Sequence, residues 1–238
     1  NKVSNMVKEG VNILDIGAFS SRPGANLISL NEEEKRLFPI LLKIRELFPE
    51  IIISIDTYRH QIAEQSIKYG ANMINDIYVE KDQSNMFKVI QKYNVPYVLM
   101  HMSGEPKNMQ KNITYNNFHK DIINFFQTKI EILHAMQFKK IILDPGFGFG
   151  KTLNHNYQLI NMIPEIIKLG HPVLAGISRK SMISKGLNIS TQDTLTGTIT
   201  ANTICLMKGA KIIRVHDVRE GKETIEIIKL VKNNKPKL

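Results

Sequence analysis

One repeated unit constrains this sequence more than any other feature. Seven short runs rich in Ile, Val and Leu recur at 11–16, 51–56, 73–77, 97–101, 141–144, 172–177 and 211–216. Several are apolar at consecutive positions, as expected of strands buried on both faces of a parallel sheet. Helical spacing fills the stretches 31–48, 59–69, 118–136, 156–169, 194–208 and 220–232. The first of these starts at Asn31, which reads as an N-cap. It is followed by Glu32, Glu33 and Glu34, where the helix dipole favours negative charge. Gly70, Gly170 and Gly209 stand where C-caps belong. Strand then helix throughout means parallel strands covered by helices. No Pro/Gly/Ser-rich linker divides the chain, so 1–238 reads as one domain.

A doubly wound sheet and a closed barrel both satisfy this order. Two features favour the barrel. The seven strand–helix units come close to eight, and residues 3–10 read as the end of a helix with no strand before it. The expectation is therefore a TIM (β/α)8 barrel whose first strand and loop are missing from this sequence. In addition, nearly every strand ends in a polar residue: Asp15, Asp56, Asn75 with Asp76, His101, Asp144, Ser178, and Arg214 with His216 and Asp217. A barrel brings those ends to one rim, where barrel enzymes build their sites. A helix cap or turn explains any one of them more simply, but not their recurrence.

Composition removes other classes. The 238 residues are 42% hydrophobic and 23% charged, ordinary for a folded chain. No apolar run approaches the ~18 residues of a membrane span, and no signal peptide is visible. The single cysteine, Cys205, excludes an intramolecular disulfide framework and fits a reducing compartment, so a cytoplasmic location is expected. The formal charge is +10, but the lysines are scattered, Trp is absent, and no basic block is interleaved with aromatics. That pattern reads as a solvated surface rather than a nucleic-acid interface.

Four segments can carry chemistry. Asp144-Pro-Gly-Phe-Gly-Phe-Gly-Lys-Thr152 resembles a P-loop only superficially, since Pro145 stands where the first Walker glycine belongs. It fits better as a tight loop whose glycines let the backbone approach a flat ligand. Asp144 at the strand end can then accept two hydrogen bonds from the N–H edge of a heterocycle. Ser178-Arg-Lys-Ser181 follows the sixth strand, and Arg214-Val-His216 lies on the seventh, where period-two alternation would point Arg214 and His216 the same way. The loops after the last two strands are the usual phosphate site of such a barrel. Ser20-Ser-Arg-Pro-Gly-Ala25 has the composition of a mobile loop, whose arginine could close over an anion. His101 is read as a hydrogen-bonded structural residue, because no metal-ligand spacing accompanies it.

Taken in order, these motifs resemble the dihydropteroate synthases. The matching segments are Asp15-Ile-Gly through Ser21-Arg22-Pro23-Gly24-Ala25, Ser54-Ile-Asp-Thr-Tyr-Arg59, Ile74-Asn-Asp-Ile77, Leu99-Met-His-Met102, Leu143 through Lys151, Gly176-Ile-Ser-Arg-Lys-Ser181 and Ile213-Arg-Val-His-Asp217. The resemblance spans essentially the whole chain. It implies a TIM barrel that joins p-aminobenzoate to 6-hydroxymethyl-7,8-dihydropterin diphosphate, a folate-pathway step inhibited by sulfonamides. It further implies that Asp56, Asn75, Asp144 and Lys180 hold the pterin and that Met100 and Phe149 line its slot. Arg214 would cover the pterin face and, with His216 and Ser21, bind diphosphate. Arg22, Pro23 and Ser181 would form the p-aminobenzoate side. Mg²⁺ is the implied cofactor, with the family's asparagine ligand in the missing N-terminal loop and no metal ligand in this chain. The sequence departs from the family at Gly17-Ala-Phe19, where a glutamate is usual. A homodimer is expected through outer helices, with Ile199, Ile204 and Leu206 as candidates. The rival readings are a pterin-binding methyltransferase domain, which would not need the 178–181 and 214–216 motifs, and a basic, non-catalytic RNA-binding protein.

Overall fold

The structure, a computed structural model, describes residues 1–19, 28–79, 83–104, 109 and 113–234. The elements run α1 (Lys2–Lys8), β1 (Ile13–Ile16), α2 (Leu30–Leu47), β2 (Ile52–Asp56), α3 (His60–Lys68), β3 (Met73–Asp76), α4 (Ser84–Tyr93) and β4 (Tyr97–Met100). They continue with α5 (Phe118–Ala135), β5 (Ile141–Asp144), α6 (Leu153–Ile167), β6 (Leu174–Ala175), α7 (Ser181–Leu187), α8 (Leu195–Met207), β7 (Ile212–Ile213) and α9 (Val218–Asn233). Strands β1 to β5 pair in sequence order, all parallel. A parallel bridge from Leu143 to Val173 carries the array on to β6, which pairs with β7. Each strand thus lies beside the next, with a helix crossing back between them, as in a (β/α) barrel. Between β7 and β1 lies a cleft lined by Val11, Ile13, Ile212 and Ile213.

The two-residue period of the strands explains both the core and the site. One set of side chains, including Ile53, Ile55, Ile74, Leu99 and Leu143, is fully buried in the main core between strands and helices. The alternate set faces inward. Its lower layer is apolar: Met73, Val98, Ile142 and Leu174 cluster, with Ile13 and Ile212 against them. Two residues further along come Asn75, Met100, Asp144 and Asp15 on their strands, and Arg214 just past the end of β7. The register sets Asp56 opposite Asn75, and Met100 opposite Asp144. An apolar plug is thereby overlaid by a polar rim.

Several boundaries differ from the sequence reading. Helix α2 is capped by Ser29, whose hydroxyl accepts from the Glu32 N–H, so Asn31 lies inside the helix and is not its cap. A serine two residues upstream offers the same chemistry in better geometry. Helix α6 starts earlier than expected, at a Thr152–His155 capping box. Helices α4 and α7 were not anticipated. Helix α4 is ten residues long and buries Met86, Phe87, Val89 and Ile90. Helix α7 is seven residues long and contains a glycine. Strand β7 ends at Ile213, so Arg214 and His216 lie beyond it and strand alternation does not orient them. Among the described residues, no helix is long and apolar enough to cross a membrane.

Candidate active site

The polar rim is assembled from strand ends. Asp56 closes β2 and is 8% exposed; its Oδ2 lies 3.4 Å from Arg214 Nη2. Asn75 on β3 is buried and donates from Nδ2 to Asp15 Oδ2 at 3.0 Å. The same Asp15 oxygen accepts from Arg214 Nε at 2.6 Å. Met100 and Asp144 end β4 and β5 and are buried side by side. Asp144 Oδ1 accepts from the Gly146 N–H at 2.8 Å. Gly176 follows β6. A Cβ placed there would sit 3.8 Å from Lys180 Nζ and 3.9 Å from both Asp144 Oδ2 and the Arg214 Cβ. Lysine, carboxylate and arginine therefore converge on the point where β6 presents no side chain.

Among the described residues, three buried oxygens at this rim have no hydrogen-bond partner: Asp15 Oδ1, Asp56 Oδ1 and Asn75 Oδ1. An unsatisfied buried acceptor costs about 1–3 kcal/mol. Three together, facing the same polar layer, make a set ready for a ligand's N–H groups. A cavity of about 490 Å³ reaches this layer, and Asp15, Asn75, Arg214 and His216 are among its lining residues.

Burial sets the electrostatics. It pushes the Asp56 carboxyl up to about 8, with the Asp15 charge adding to the rise and Arg214 opposing it. Asp144 is also raised by burial, against the pull of Lys180 and the Gly146 N–H. The Lys180 amine is brought down to about 8 by burial, partly countered by Asp144. Asp56 and Lys180 are thus poised near neutrality, as is common where a polar ligand binds.

The glycine loop after β5 is bolted to the end of β4. Lys151, 3% exposed, places Nζ 3.0 Å from His101 Nδ1, and it donates to the carbonyls of His101 and Phe149 at 3.2 and 2.9 Å. Burial, reinforced by the Lys151 charge, holds the His101 imidazole well below its ordinary pKa. His101 is therefore a hydrogen-bonded buried histidine, as expected. Gly146, at φ +70°, allows a contact in which any Cβ would lie 1.9 Å from the His101 carbonyl oxygen. The loop carries Phe149, half-buried, with Lys180 Nζ 4.7 Å from its ring centroid. Lys180 Nζ also donates to the Phe147 carbonyl at 2.5 Å.

A second clasp joins the loops after β6 and β7. Arg179 forks onto Asp217, Nε to Oδ2 at 2.9 Å and Nη2 to Oδ1 at 2.8 Å. Ser178 Oγ lies 3.0 Å from His216 Nδ1 and accepts from the His216 N–H at 3.2 Å. Burial, with Arg214 nearby, lowers the His216 pKa. Ser181 is exposed at the first residue of α7. Ser21, Arg22 and Pro23 lie outside the described residues. The segment holding them leads to Ile28, whose carbonyl accepts from Arg59 Nη2 at 2.6 Å while Arg59 pairs with buried Glu33.

Sequence reasoning placed Asp56, Asn75, Met100, Asp144, Phe149, Lys180 and Arg214 together, and the structure does the same. It gave no role to Asp15, Ser178, the Arg179–Asp217 fork or Lys151. All four stand inside the quoted motifs, so the signal was there. What was missing was the pairing across up to 199 residues that tells a ligand group from its support. As for Mg²⁺, no group of three or more His, Cys, Asp or Glu side chains among the described residues could hold a metal ion. Asp15 and Asp56 are, moreover, already paired with Arg214. These residues do not fit a resident Mg²⁺.

Comparison with known proteins agrees with the geometry. Residues 1–216 match the family described as pterin binding enzyme. The dihydropteroate synthase of Clostridium beijerinckii is 41% identical over 232 residues, covering 96% of this chain and 83% of that protein. The Escherichia coli K12 dihydropteroate synthase is 38% identical, covering 94% and 79%. A crystal structure of Yersinia pestis dihydropteroate synthase with a sulfonamide drug complex superposes with a TM-score of 0.91 at 38% identity, covering 98% of this chain and 84% of that one. A barrel rim of buried acceptors faced by lysine, arginine and histidine, on a chain this similar to these proteins, belongs to the pterin-binding enzyme family and, within it, to the dihydropteroate synthases.

Proposed function

We propose that this chain condenses 6-hydroxymethyl-7,8-dihydropterin diphosphate with p-aminobenzoate, giving 7,8-dihydropteroate and diphosphate, and that the rim residues divide the work as follows. Asp144 accepts from the pterin 2-amino group and the adjacent ring N–H. Asn75 Oδ1 and Asp56 Oδ1, both buried and unpaired, accept from the remaining N–H edge. Met100 and Phe149 flank the flat ring, and Lys180 donates to its acceptor atoms. The convergence of unpaired acceptors with Lys180 and Arg214 carries this reading, because a pterin is an N–H-rich plane and its diphosphate an anion.

Arg214, held by Asp15, covers the pterin and faces the diphosphate with Nη groups. Ser178 Oγ accepts the His216 backbone N–H and lies 3.0 Å from its Nδ1, which orients the ring. Held in that orientation, the ring leaves Nε2 to donate to a phosphate oxygen when it carries the proton. In the reaction the methylene C–O bond breaks and its electron pair leaves with diphosphate. The p-aminobenzoate nitrogen forms the new C–N bond and loses a proton. Cations fixed at the rim stabilise the departing charge without rearranging, so no side-chain nucleophile is needed. Ser181, with Ser21, Arg22 and Pro23, is assigned to the p-aminobenzoate and phosphate side.

The same reading takes the protein to be a cytoplasmic homodimer. The support for a dimer is an apolar face on α8 and α9, where Ile204, Met207, Ile227, Leu230 and Val231 are 42–61% exposed. Ile204 belongs to that face and Ile199 is half-buried beside it, but Leu206 turns inward, is 7% exposed, and, contrary to the expectation from sequence, does not belong to it. Calorimetric titration tests the function. The pterin diphosphate should bind more tightly than the unphosphorylated pterin, and p-aminobenzoate should then be consumed. Failure of either pterin to bind would overturn the assignment.

A further inference from the structure

Helices of this barrel run back against the strands, so their C-termini gather at the end opposite the rim. His134 lies in the last turn of α5, exposed. His171 follows Gly170 in the turn between α6 and β6 and is 9% exposed. Their Nε2 atoms are 3.2 Å apart. The rings are tilted by 56° with centroids 5.2 Å apart, so edges meet rather than faces. Among the described residues, no other side chain bonds to either ring. Both turns are fixed by backbone bonds, Gln137 N–H to the His134 carbonyl at 2.8 Å and Gly170 N–H to the Ile167 carbonyl at 3.0 Å.

We propose that His134 and His171 form a bis-imidazole site for a borderline divalent cation of the Zn²⁺, Ni²⁺ or Cu²⁺ class. Imidazole nitrogens bind such ions at ~2.0–2.1 Å, and at that bond length the 3.2 Å separation subtends about 100° at the ion. That angle lies between the square-planar and tetrahedral values. Imidazole is the preferred ligand of these metals among the side chains present. The negative end of the α5 dipole falls within the same turn and favours a cation. No third His, Cys, Asp or Glu completes the group among the described residues, so water fills the other positions and the ion exchanges readily. Bound there, it ties the end of α5 to the turn entering β6, far along the sequence and remote from the pterin rim. The site does not depend on the reading of the active site.

The test uses untagged, full-length protein titrated with Cu²⁺ and with Zn²⁺. One equivalent of Cu²⁺ should give an electron paramagnetic resonance signal split by two nitrogens. Zn²⁺ should raise the melting temperature, because only the folded chain holds both rings together. His134→Ala, at an exposed position that should fold normally, is expected to weaken binding by at least about tenfold. It should also abolish the thermal shift. His171→Asn should reduce the splitting to one nitrogen. Equal affinity in His134→Ala and the unaltered chain, a one-nitrogen signal in the latter, or no binding at all would each show that the two rings share only a hydrogen bond.

Discussion

Arg214 Nε donates to Asp15 Oδ2 at 2.6 Å, joining the residue after the last strand to the first strand of the chain. That oxygen also holds Asn75, so one carboxylate orients both the guanidinium and the amide of the rim. Asp15→Ala should release both. Binding of the pterin diphosphate should weaken by about 1–2 kcal/mol, the lower part of the range for charged hydrogen bonds because the arginine is 43% exposed. Calorimetry on the phosphorylated and unphosphorylated pterins checks this, and the larger loss should fall on the phosphorylated form.

Arg214→Lys keeps the charge but removes the fork and the stacking plane. Diphosphate substrate binding should fall by ~1–3 kcal/mol, and binding of the bare pterin by less. Equal relative losses on the two ligands would mean that Arg214 does not read phosphate.

Asp144→Asn replaces a buried acceptor with a donor, facing the ligand's own N–H groups. Pterin affinity should drop by ~1–3 kcal/mol, about five- to a hundred-and-fiftyfold, with the fold intact by circular dichroism. Unchanged affinity would remove Asp144 from the pterin site.

Gly146 and Gly170 separate two costs of adding a methyl group. Both have positive φ, +70° and +89°, but only at Gly146 would the Cβ collide with backbone, 1.9 Å from the His101 carbonyl oxygen. At Gly170 nothing lies within 4 Å. Gly170→Ala should cost only the left-handed backbone term, about 1–2 kcal/mol. Gly146→Ala should destabilise more in urea titrations. It should also lose pterin affinity, because Phe149 and Lys151 ride on the same loop.

The raised Asp56 predicts a pH dependence. Between the ordinary carboxylate value of 3.8 and about 8, the folded chain binds a proton that the unfolded chain has released. Stability from this group is therefore complete below about pH 4 and is lost as pH rises through about 8. Asp56→Asn cannot ionise, so it should flatten the decline. Urea titrations at pH 5, 6.5 and 8 should show the variant gaining on the unaltered protein as pH rises. A constant difference would place the Asp56 pKa in its ordinary range.

Local chemistry and period were enough to read much of this from the sequence. Consecutive apolar residues at 51–56 and 141–144 identify buried parallel strands. A polar residue at each strand end locates the rim, and Asp56, Asn75 and Asp144 are legible because strand alternation is a local rule. Helix α7, seven residues long with a glycine, was not legible, being stabilised by packing rather than by propensity, whereas α4 carries Met86, Phe87, Val89 and Ile90 on one face and its helical period was there to be read. The extent of β7 was not legible either. Ladder bonds with a neighbour decide where a strand stops, and the neighbour is distant in sequence. The supports of the site lie wholly in tertiary structure. Nothing local in Asp15 says that it holds Arg214, nothing in Lys151 that it pins the glycine loop to His101, and nothing in His134 that its ring meets His171. Sequence by itself determined which groups stand at the rim. Curling of the strands around one axis decided which of them face a ligand and which hold the others in place, because only that curvature brings residues up to 199 positions apart within hydrogen-bonding distance.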